Sequence, residues 1–356
     1  YVVMQGDDDA KAEYATGFLK VTPAHDSNDW EIGKRHTLDV INVMATDASI
    51  SDKYGWEDAS EESRQFIGLS REDAREAIVE WFKQHDLLEE VRDYTHSVGH
   101  SYRSHVPVEP YLSDQWYVRV TDDRLRNEAL RALSPEQYDG TPPLRDSEKK
   151  EKKGDGQLHV YPERYAKQYQ VWHENLLDWC ISRQLWWGHR IPIWSKTFPD
   201  GQEPSWPHVE CAAVASQVAY DEGENETVVY LSIAGGQEVI EKEIEQAGFV
   251  QDEDVLDTWF SSALWPLSTM GWPDPSIYPE TLGLLEKFNP TSVLCTAREI
   301  IGQWVSRMVM FNRYFQNGTV PFLNVYIHPT VQDGFGQKMS KSLGNVINPL
   351  MLIDEF

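Results

Sequence analysis

Ser292-Val293-Leu294-Cys295, then Glu299 to Phe315, then Phe322-Leu323-Asn324-Val325-Tyr326-Ile327-His328, is the stretch that sets the fold class. The first run is short, apolar and strand-like. The second places Ile300, Ile301, Trp304, Val305 and Met308 on one face, at helical spacing. Asn317-Gly318 breaks that helix, and the third run reads as a buried strand. A strand–helix–strand crossover is right-handed, which makes the two strands parallel and the chain α/β. Ligands in such sheets bind outside the carboxyl ends of the strands. That edge carries Thr296 to Glu299 and the loop that leaves His328.

The loop after His328 is hinged by glycines. Gly334 and Gly336 precede Lys338-Met339-Ser340-Lys341-Ser342, Gly344 comes after it, and Asn348-Pro349 reads as the start of another helix. Such a loop can move, and its two ammonium groups with the hydroxyls of Ser340 and Ser342 suit a polyphosphate. Lys-x-x-Lys alone is an ordinary solvated loop. The whole pentapeptide occurs by chance in a chain this long roughly once in ten thousand.

Upstream, Asp254 to Pro266 reads as a strand end running into a serine-capped helix. Asp257, just before Trp259-Phe260, is a carboxylate in an expensive place. It needs a partner, and a substrate ammonium is one. Residues 172–194 hold Trp172, Trp179, Trp186 and Trp187, too many for one helix face. With Gly188 and Pro192 they suggest a helix ending in a pocket wall, with Arg183 or His189 as polar handles, against the plainer reading of aromatic core. Residues 195–250 read as an irregular insertion with one strand, Val228 to Ile233, and an acidic run, Asp221 to Glu226.

Nearer the start, Phe18 to Thr22 reads as a strand, Trp30 to His36 as a short helix and Leu38 to Met44 as a strand. Between them Asp26, Ser27 and Asn28 are all N-cap types. One reading is capping alone. The other is that Lys20, Asp26 and Asp29 converge on a substrate ammonium and hydroxyl, with Asn28 as the cap. Residues 70–85 form an amphipathic helix capped by Ser70, its face of Ala74, Ala77, Ile78, Trp81 and Phe82 assigned to core. His96, His100 and His105 lack a carboxylate or cysteine at metal-ligand spacing. Pro107 and Pro110 suggest a connecting ribbon. Residues 121–157 are charged and loop-rich, and Lys149, Lys150, Lys152 and Lys153 are a solvated face that could touch nucleic acid.

Composition sets the outer bounds. The 356 residues suffice for two or three cored domains, and 40% hydrophobic content with 14 Trp, 16 Tyr and 12 Phe is globular. No apolar run reaches membrane-spanning length, so no membrane partner is expected. Cys180, Cys211 and Cys295 form no CxxC pair, which argues against a disulfide framework or a structural zinc and suits a cytoplasmic protein. A net charge of −26 argues against broad nucleic-acid binding and confines any such contact to local basic clusters.

Lys338 to Ser342 resembles the KMSKS signature of class I aminoacyl-tRNA synthetases. Asp178-Trp179-Cys180-Ile181-Ser182-Arg183-Gln184-Leu185-Trp186-Trp187-Gly188-His189-Arg190-Ile191-Pro192 and Asp254 to Pro273 resemble the valyl-tRNA synthetases over essentially the whole chain. Thr22-Pro23-Ala24-His25-Asp26 with Asp29 is similar to part of that family's editing pocket. The resemblance implies the second half of a class I Rossmann-type catalytic domain plus part of an inserted α+β editing domain. Residues 1–112 would be the partial editing domain, 113–250 connective segments, and 251–356 the catalytic half ending in the KMSKS loop. It also implies roles. Lys338, Met339, Ser340, Lys341, Ser342, His328 and Glu299 would bind ATP, with Lys338 and Lys341 catalytic on the phosphates and Glu299 facing the adenosine. Trp187, Asp257 and Trp259 would form the valine pocket, and Lys20, Asp26 and Asp29 the editing site. The implied partners are valine, tRNA(Val) and ATP with Mg2+, and the implied reaction passes through valyl-adenylate, with hydrolysis of mischarged threonyl-tRNA.

There are departures. The family's Thr-Gly-x-Asp reads Thr296-Ala297-Arg298-Glu299 here, and its His-Gly reads His328-Pro329. No HIGH tetrapeptide is present; His96-Ser97-Val98-Gly99-His100 is a decoy. The sequence therefore reads as an internal fragment without the HIGH half or the anticodon-binding domain, expected not to activate valine by itself. The rival readings are an isoleucine-type class I enzyme and a non-catalytic synthetase-like protein that binds tRNA or a partner.

Overall fold

The computed structural model describes residues 2–4, 18–52, 60–101, 104–138, 156–206, 214–221, 226–341 and 343–355. It divides into two compact units, Tyr1–Asp114 and Gln115–Phe356. In the first, β1 (Val2–Met4) pairs antiparallel with β2 (Phe18–Lys20), Val3 opposite Leu19. Helix α1 spans Ser27–His36 and α2 Arg71–Gln84.

Local chemistry explains both helices and corrects two expectations. Asp26, not Asn28, caps α1: its Oδ1 accepts from the backbone N–H of Asn28 at 2.8 Å and of Asp29 at 2.9 Å. That starts the helix three residues earlier than the sequence suggests. The strand expected over 38–44 is absent; only an isolated bridge joins Met44 to Ile50. The Asn42 side chain accepts from Met44 N–H at 3.1 Å, a local bond that competes with a strand ladder. Ser70 caps α2 through Asp73 N–H at 3.1 Å, as expected. The face assigned to core is only partly covered in this unit: Ala74 is buried, but Ile78 and Phe82 are 36% and 39% exposed.

The second unit runs β3 (Tyr117–Val118), α3 (Arg126–Arg131), β4 (His159–Tyr161), α4 (Arg164–Glu174), β5 (Trp179–Cys180) and β6 (Ser182–Arg183). β7 (Ile193–Pro199), β8 (Val214–Asp221), β9 (Glu226–Ile233), α5 (Glu238–Gln246) and β10 (Val250–Gln251) come next. The chain continues through β11 (Val255–Leu256), α6 (Thr258–Ala263), α7 (Trp265–Ser268) and α8 (Leu284–Phe288). It closes with β12 (Thr291–Ala297), α9 (Arg307–Phe315), β13 (Phe322–His328) and α10 (Pro349–Glu355). The lysine-rich run at 149–153 and the expected acidic run beyond Asp221 lie outside the described residues.

The crossover is as the sequence implies. β12 and β13 are parallel, from Thr291 opposite Phe322 to Ala297 opposite His328. The sheet has a third parallel strand that the sequence hid: β4 pairs with β13, Asn324 opposite His159, giving the order β12-β13-β4. One core cluster covers this sheet, with Leu130, Leu133, Leu158, Tyr169, Met308, Val309 and Val325 fully buried.

The single helix expected over Glu299–Phe315 is three segments: a 3-10 turn at Arg298–Ile300, a π-helical turn at Ile301–Ser306, and α9. Gly302 in the widened turn lies flat on the Trp172 indole, where a Cβ would come within 2.5 Å of the ring. Ser306 completes the contact with α4 through its hydroxyl, 2.9 Å from His173 Nε2. His173 Nδ1 lies 2.7 Å from the Tyr169 carbonyl, so both ring nitrogens are engaged without solvent.

Burial pushes the His173 imidazole down to about 4. It stays neutral when folded and charges in the unfolded chain near 6.5. The folded state then has its full share of stability above pH 6.5 and loses it as pH falls from there to about 4. Urea unfolding at pH 7.5 and pH 5 should differ by about 2 kcal/mol on this account. A His173→Gln variant should lose that portion of the difference.

Residues 195–250 are not irregular. β10-β7-β9-β8 form a four-stranded antiparallel sheet, with Trp194 opposite Leu231 and Val218 opposite Val229. With α5 it encloses its own core of Trp194, Phe198, Val229, Leu231, Ile233, Ile244 and Phe249.

Candidate functional site

At the carboxyl ends of β12 and β13 the structure joins Glu299, Thr330 and Lys338. Glu299 comes directly after β12. Its Oε2 accepts from the Thr330 hydroxyl at 2.8 Å, and its Oε1 is 3.3 Å from Lys338 Nζ. Its own backbone N–H, then the Thr330 hydroxyl and the Lys338 ammonium, hold the Glu299 carboxyl below its ordinary range. The Lys338 side chain is 67% exposed, so this ion pair is a surface contact worth under about 1 kcal/mol and readily exchanged for a stronger anion.

The loop itself folds back as a short hairpin, with Gln332 bridged to Lys338 and Met339 N–H on the Val331 carbonyl at 3.3 Å. Ser340 N–H donates to the Asn345 side chain at 2.8 Å, and Lys341 is exposed. Ser342 lies outside the described residues. His328 ends β13, exposed, with Nδ1 2.9 Å from the Pro329 carbonyl. Thr330 was not legible as a site residue; nothing in the sequence distinguishes it from other loop threonines.

Asp257 is 6% exposed and does not wait for a substrate ammonium. Its Oδ2 accepts from Arg183 Nη2 at 2.8 Å and from the Trp179 indole N–H at 3.0 Å, with Arg307 Nη1 at 3.8 Å. Its Oδ1 accepts from Trp259 N–H at 3.1 Å, so Asp257 itself, not a serine, caps α6. Protein cations already balance the buried charge. The Arg307 guanidinium stacks on Trp179 at 3.6 Å, and burial lowers it to about 10.

Trp187 comes after β6 and Trp259 after β11, the two strands of an antiparallel ribbon in which Ser182 pairs with Leu256, and the structure does not bring the two indoles together. Trp259 packs against the main core, while Trp187 is 90% exposed. Gly188 presses on Val255, where a Cβ would meet that side chain at 2.9 Å, and His189 Nδ1 is 2.9 Å from the Ser261 hydroxyl. The tryptophans of 172–194 thus sit on different elements rather than along one helix.

In the Tyr1–Asp114 unit, Lys20 and Asp29 come together around Thr22. Asp29 Oδ2 accepts from the Thr22 N–H at 2.8 Å and hydroxyl at 3.1 Å, and Lys20 Nζ lies 3.8 Å from it. Asp26 does not join them, because its carboxylate is committed to the helix cap. Among the described residues no group of three or more His, Cys, Asp or Glu could hold a metal, and no helix is long and apolar enough to cross a membrane.

Known proteins are similar to the chain over nearly its whole length. The chain is 40% identical over 98% of its length to a valine–tRNA ligase of Rhodopirellula baltica, covering 31% of that protein. It is 39% identical over 97% of its length to the Thermotoga maritima valine–tRNA ligase, and 40% over 99% to that of Bacillus licheniformis, covering 32% of each. The chain thus spans about a third of the length of the relatives it matches. A methionyl-tRNA synthetase structure from Mycobacterium tuberculosis, bound by methionyl-adenylate, is similar with a TM-score of 0.38 and 14% identity over 72% of this chain and 34% of that one. The family description "tRNA synthetases class I (I, L, M and V)" matches residues 25–356. The chain belongs to the class I tRNA synthetases, in the division designated I, L, M and V.

Proposed function

We propose that the protein carrying this chain attaches valine to tRNA(Val), using ATP as its magnesium complex. The observation that carries the reading is the lysine hairpin beside Glu299 at the carboxyl edge of a parallel sheet, in a chain about 40% identical to valine–tRNA ligases. A valine carboxylate oxygen attacks the α-phosphorus of ATP, the bond from that phosphorus to the bridging oxygen breaks, and pyrophosphate leaves. A hydroxyl at the tRNA 3′ end then attacks the adenylate carbonyl, giving up its proton, and AMP leaves. In-line displacement asks the protein for positioning and charge stabilisation more than for covalent chemistry. A triphosphate outcompetes one carboxylate for Lys338. Lys338 and Lys341 then meet the charge that builds on the departing pyrophosphate, and Glu299 is released toward the adenosine.

Trp187 and Trp259, which come after the two strands of the β6–β11 ribbon, are the side chains we assign to the valine pocket, with Asp257 held by Arg183 beside them. An apolar pocket rejects an added hydroxyl by only about a hundredfold, a figure long associated with this very enzyme type. A second, hydrolytic site is then required. We assign it to the Tyr1–Asp114 unit, with Asp29, positioned by Thr22 and Lys20, as the group that recognises a threonyl hydroxyl.

The test is amino-acid-dependent ATP–pyrophosphate exchange by the intact protein. Valine should exceed isoleucine and threonine in kcat/KM by about a hundredfold. Exchange that prefers isoleucine, or none at all, would overturn the reading.

A further inference from the structure

The lysine hairpin contains little regular structure, yet two side chains outside the KMSKS pentapeptide tie it together. Asp333 Oδ1 accepts from the backbone N–H of Phe335 and of Gln337, each at 2.9 Å. Asp333 Oδ2 accepts from Asn345 Nδ2 at 2.9 Å. Asn345 then reaches the signature itself: its Oδ1 accepts from Ser340 N–H at 2.8 Å, and its Nδ2 lies 3.3 Å from the Lys338 carbonyl. Backbone bonds from Asp333 N–H to Gln337 and from Gly336 N–H to Asp333 close the turn. Asn345, then the Gln337 and Phe335 N–H groups, hold the Asp333 carboxyl below its ordinary range. Lys338 and Lys341 are exposed, so their spacing depends on this backbone frame.

We propose that Asp333 and Asn345 are positioning residues that lock the hairpin into one rigid frame, presenting Lys338 and Lys341 together to the polyphosphate. The proposal rests on the polyphosphate reading given above. A rigid frame spares the loop the ordering entropy that each turnover would otherwise cost, and that saving falls on the phosphate step. Amino-acid binding does not use the frame and should not feel its loss.

The chemistry of the pair supplies the test. Asp333→Asn sets an amide NH2 against the Asn345 NH2, and Asn345→Asp sets carboxylate against carboxylate. The double exchange restores the 333–345 bond in the reverse sense and keeps an acceptor for Ser340 N–H, giving up only the long 3.3 Å bond to the Lys338 carbonyl. In the intact protein each single variant should lower kcat for ATP–pyrophosphate exchange by about tenfold or more, with KM for the amino acid within about twofold. The double variant should recover most of the loss. Trypsin should cut after Lys338 and Lys341 several-fold faster in the single variants, and near the original rate in the double. Unaltered kcat and unaltered cleavage in the singles overturn the proposal. So does a double variant no better than the singles. If the unaltered protein shows no amino-acid-dependent exchange, the proposed function falls, and the trypsin pattern alone decides whether the frame exists.

Discussion

Asp257→Ala is expected to destabilise the Gln115–Phe356 unit by about 3 kcal/mol, the low end for removing one partner of a buried ion pair. The carboxylate is 6% exposed and answers three groups at once: the Arg183 guanidinium, the Trp179 indole N–H and the Trp259 backbone N–H. Deleting it leaves the buried indole donor unmatched, at about 1–3 kcal/mol, and removes a helix cap, at about 1 kcal/mol. Arg183 is 38% exposed and can turn to water, which keeps the total below the upper limit for such pairs. Arg307 cannot move as freely, because it is packed on Trp179 and only 15% exposed. Urea unfolding should show a lower midpoint with an unchanged slope. A shift under about 1 kcal/mol would mean that Arg183 and Arg307 find other acceptors and that Asp257 is not the anchor of this corner.

The second large effect is on rate. Lys341→Ala and Lys338→Ala should each lower kcat for ATP–pyrophosphate exchange by about a hundred- to a thousandfold, the usual consequence of deleting one group aimed at developing charge. Magnitude separates this from the bland alternative. If Lys338 served only its contact with Glu299, the loss would be that of an exposed ion pair, under about 1 kcal/mol of stability and little in rate. The two readings differ by two orders of magnitude in kcat. KM for the amino acid should hardly change, since neither lysine lies on the β6–β11 ribbon that carries the tryptophans. A rate within about threefold of the unaltered protein for both variants would remove the loop from the mechanism.

The sequence carried the features that depend on short-range periodicity and hid those that depend on distant pairing. The β12–β13 crossover was legible because apolar period, helix break and strand all fall within one continuous stretch, from Thr291 to His328. β4 was not: three residues long, it takes its identity from a partner far along the chain. The β7–β9 sheet was hidden for a different reason. In β7 the polar run Ser195-Lys196-Thr197 separates Trp194 from Phe198 and breaks the apolar alternation, a pattern that a single sequence offers equally to loops. For the site, the KMSKS loop and Glu299 could be named in advance because they sit at the ends of legible strands. The partner of Asp257 could not, since Arg183 is 74 residues away and nothing local marks the pair. Asp26, Ser27 and Asn28 are chemically equivalent as caps, and only the backbone path chose Asp26.

The order β12-β13-β4 carries a consequence for biosynthesis. The middle strand is the last of the three to be made. The ladder from His159 must wait for Asn324, 165 residues later, and the β12–β13 ladder waits on the same strand. At ribosomal rates of about 5–20 residues per second that wait is on the order of 10–30 s. During it the β4 edge that β13 will cover stays open, and β12, made only near the end of the wait, opens a second one. Chaperone binding to ribosome-bound chains should therefore persist past translation of the lysine hairpin, until β13 has left the ribosome and slots between its neighbours.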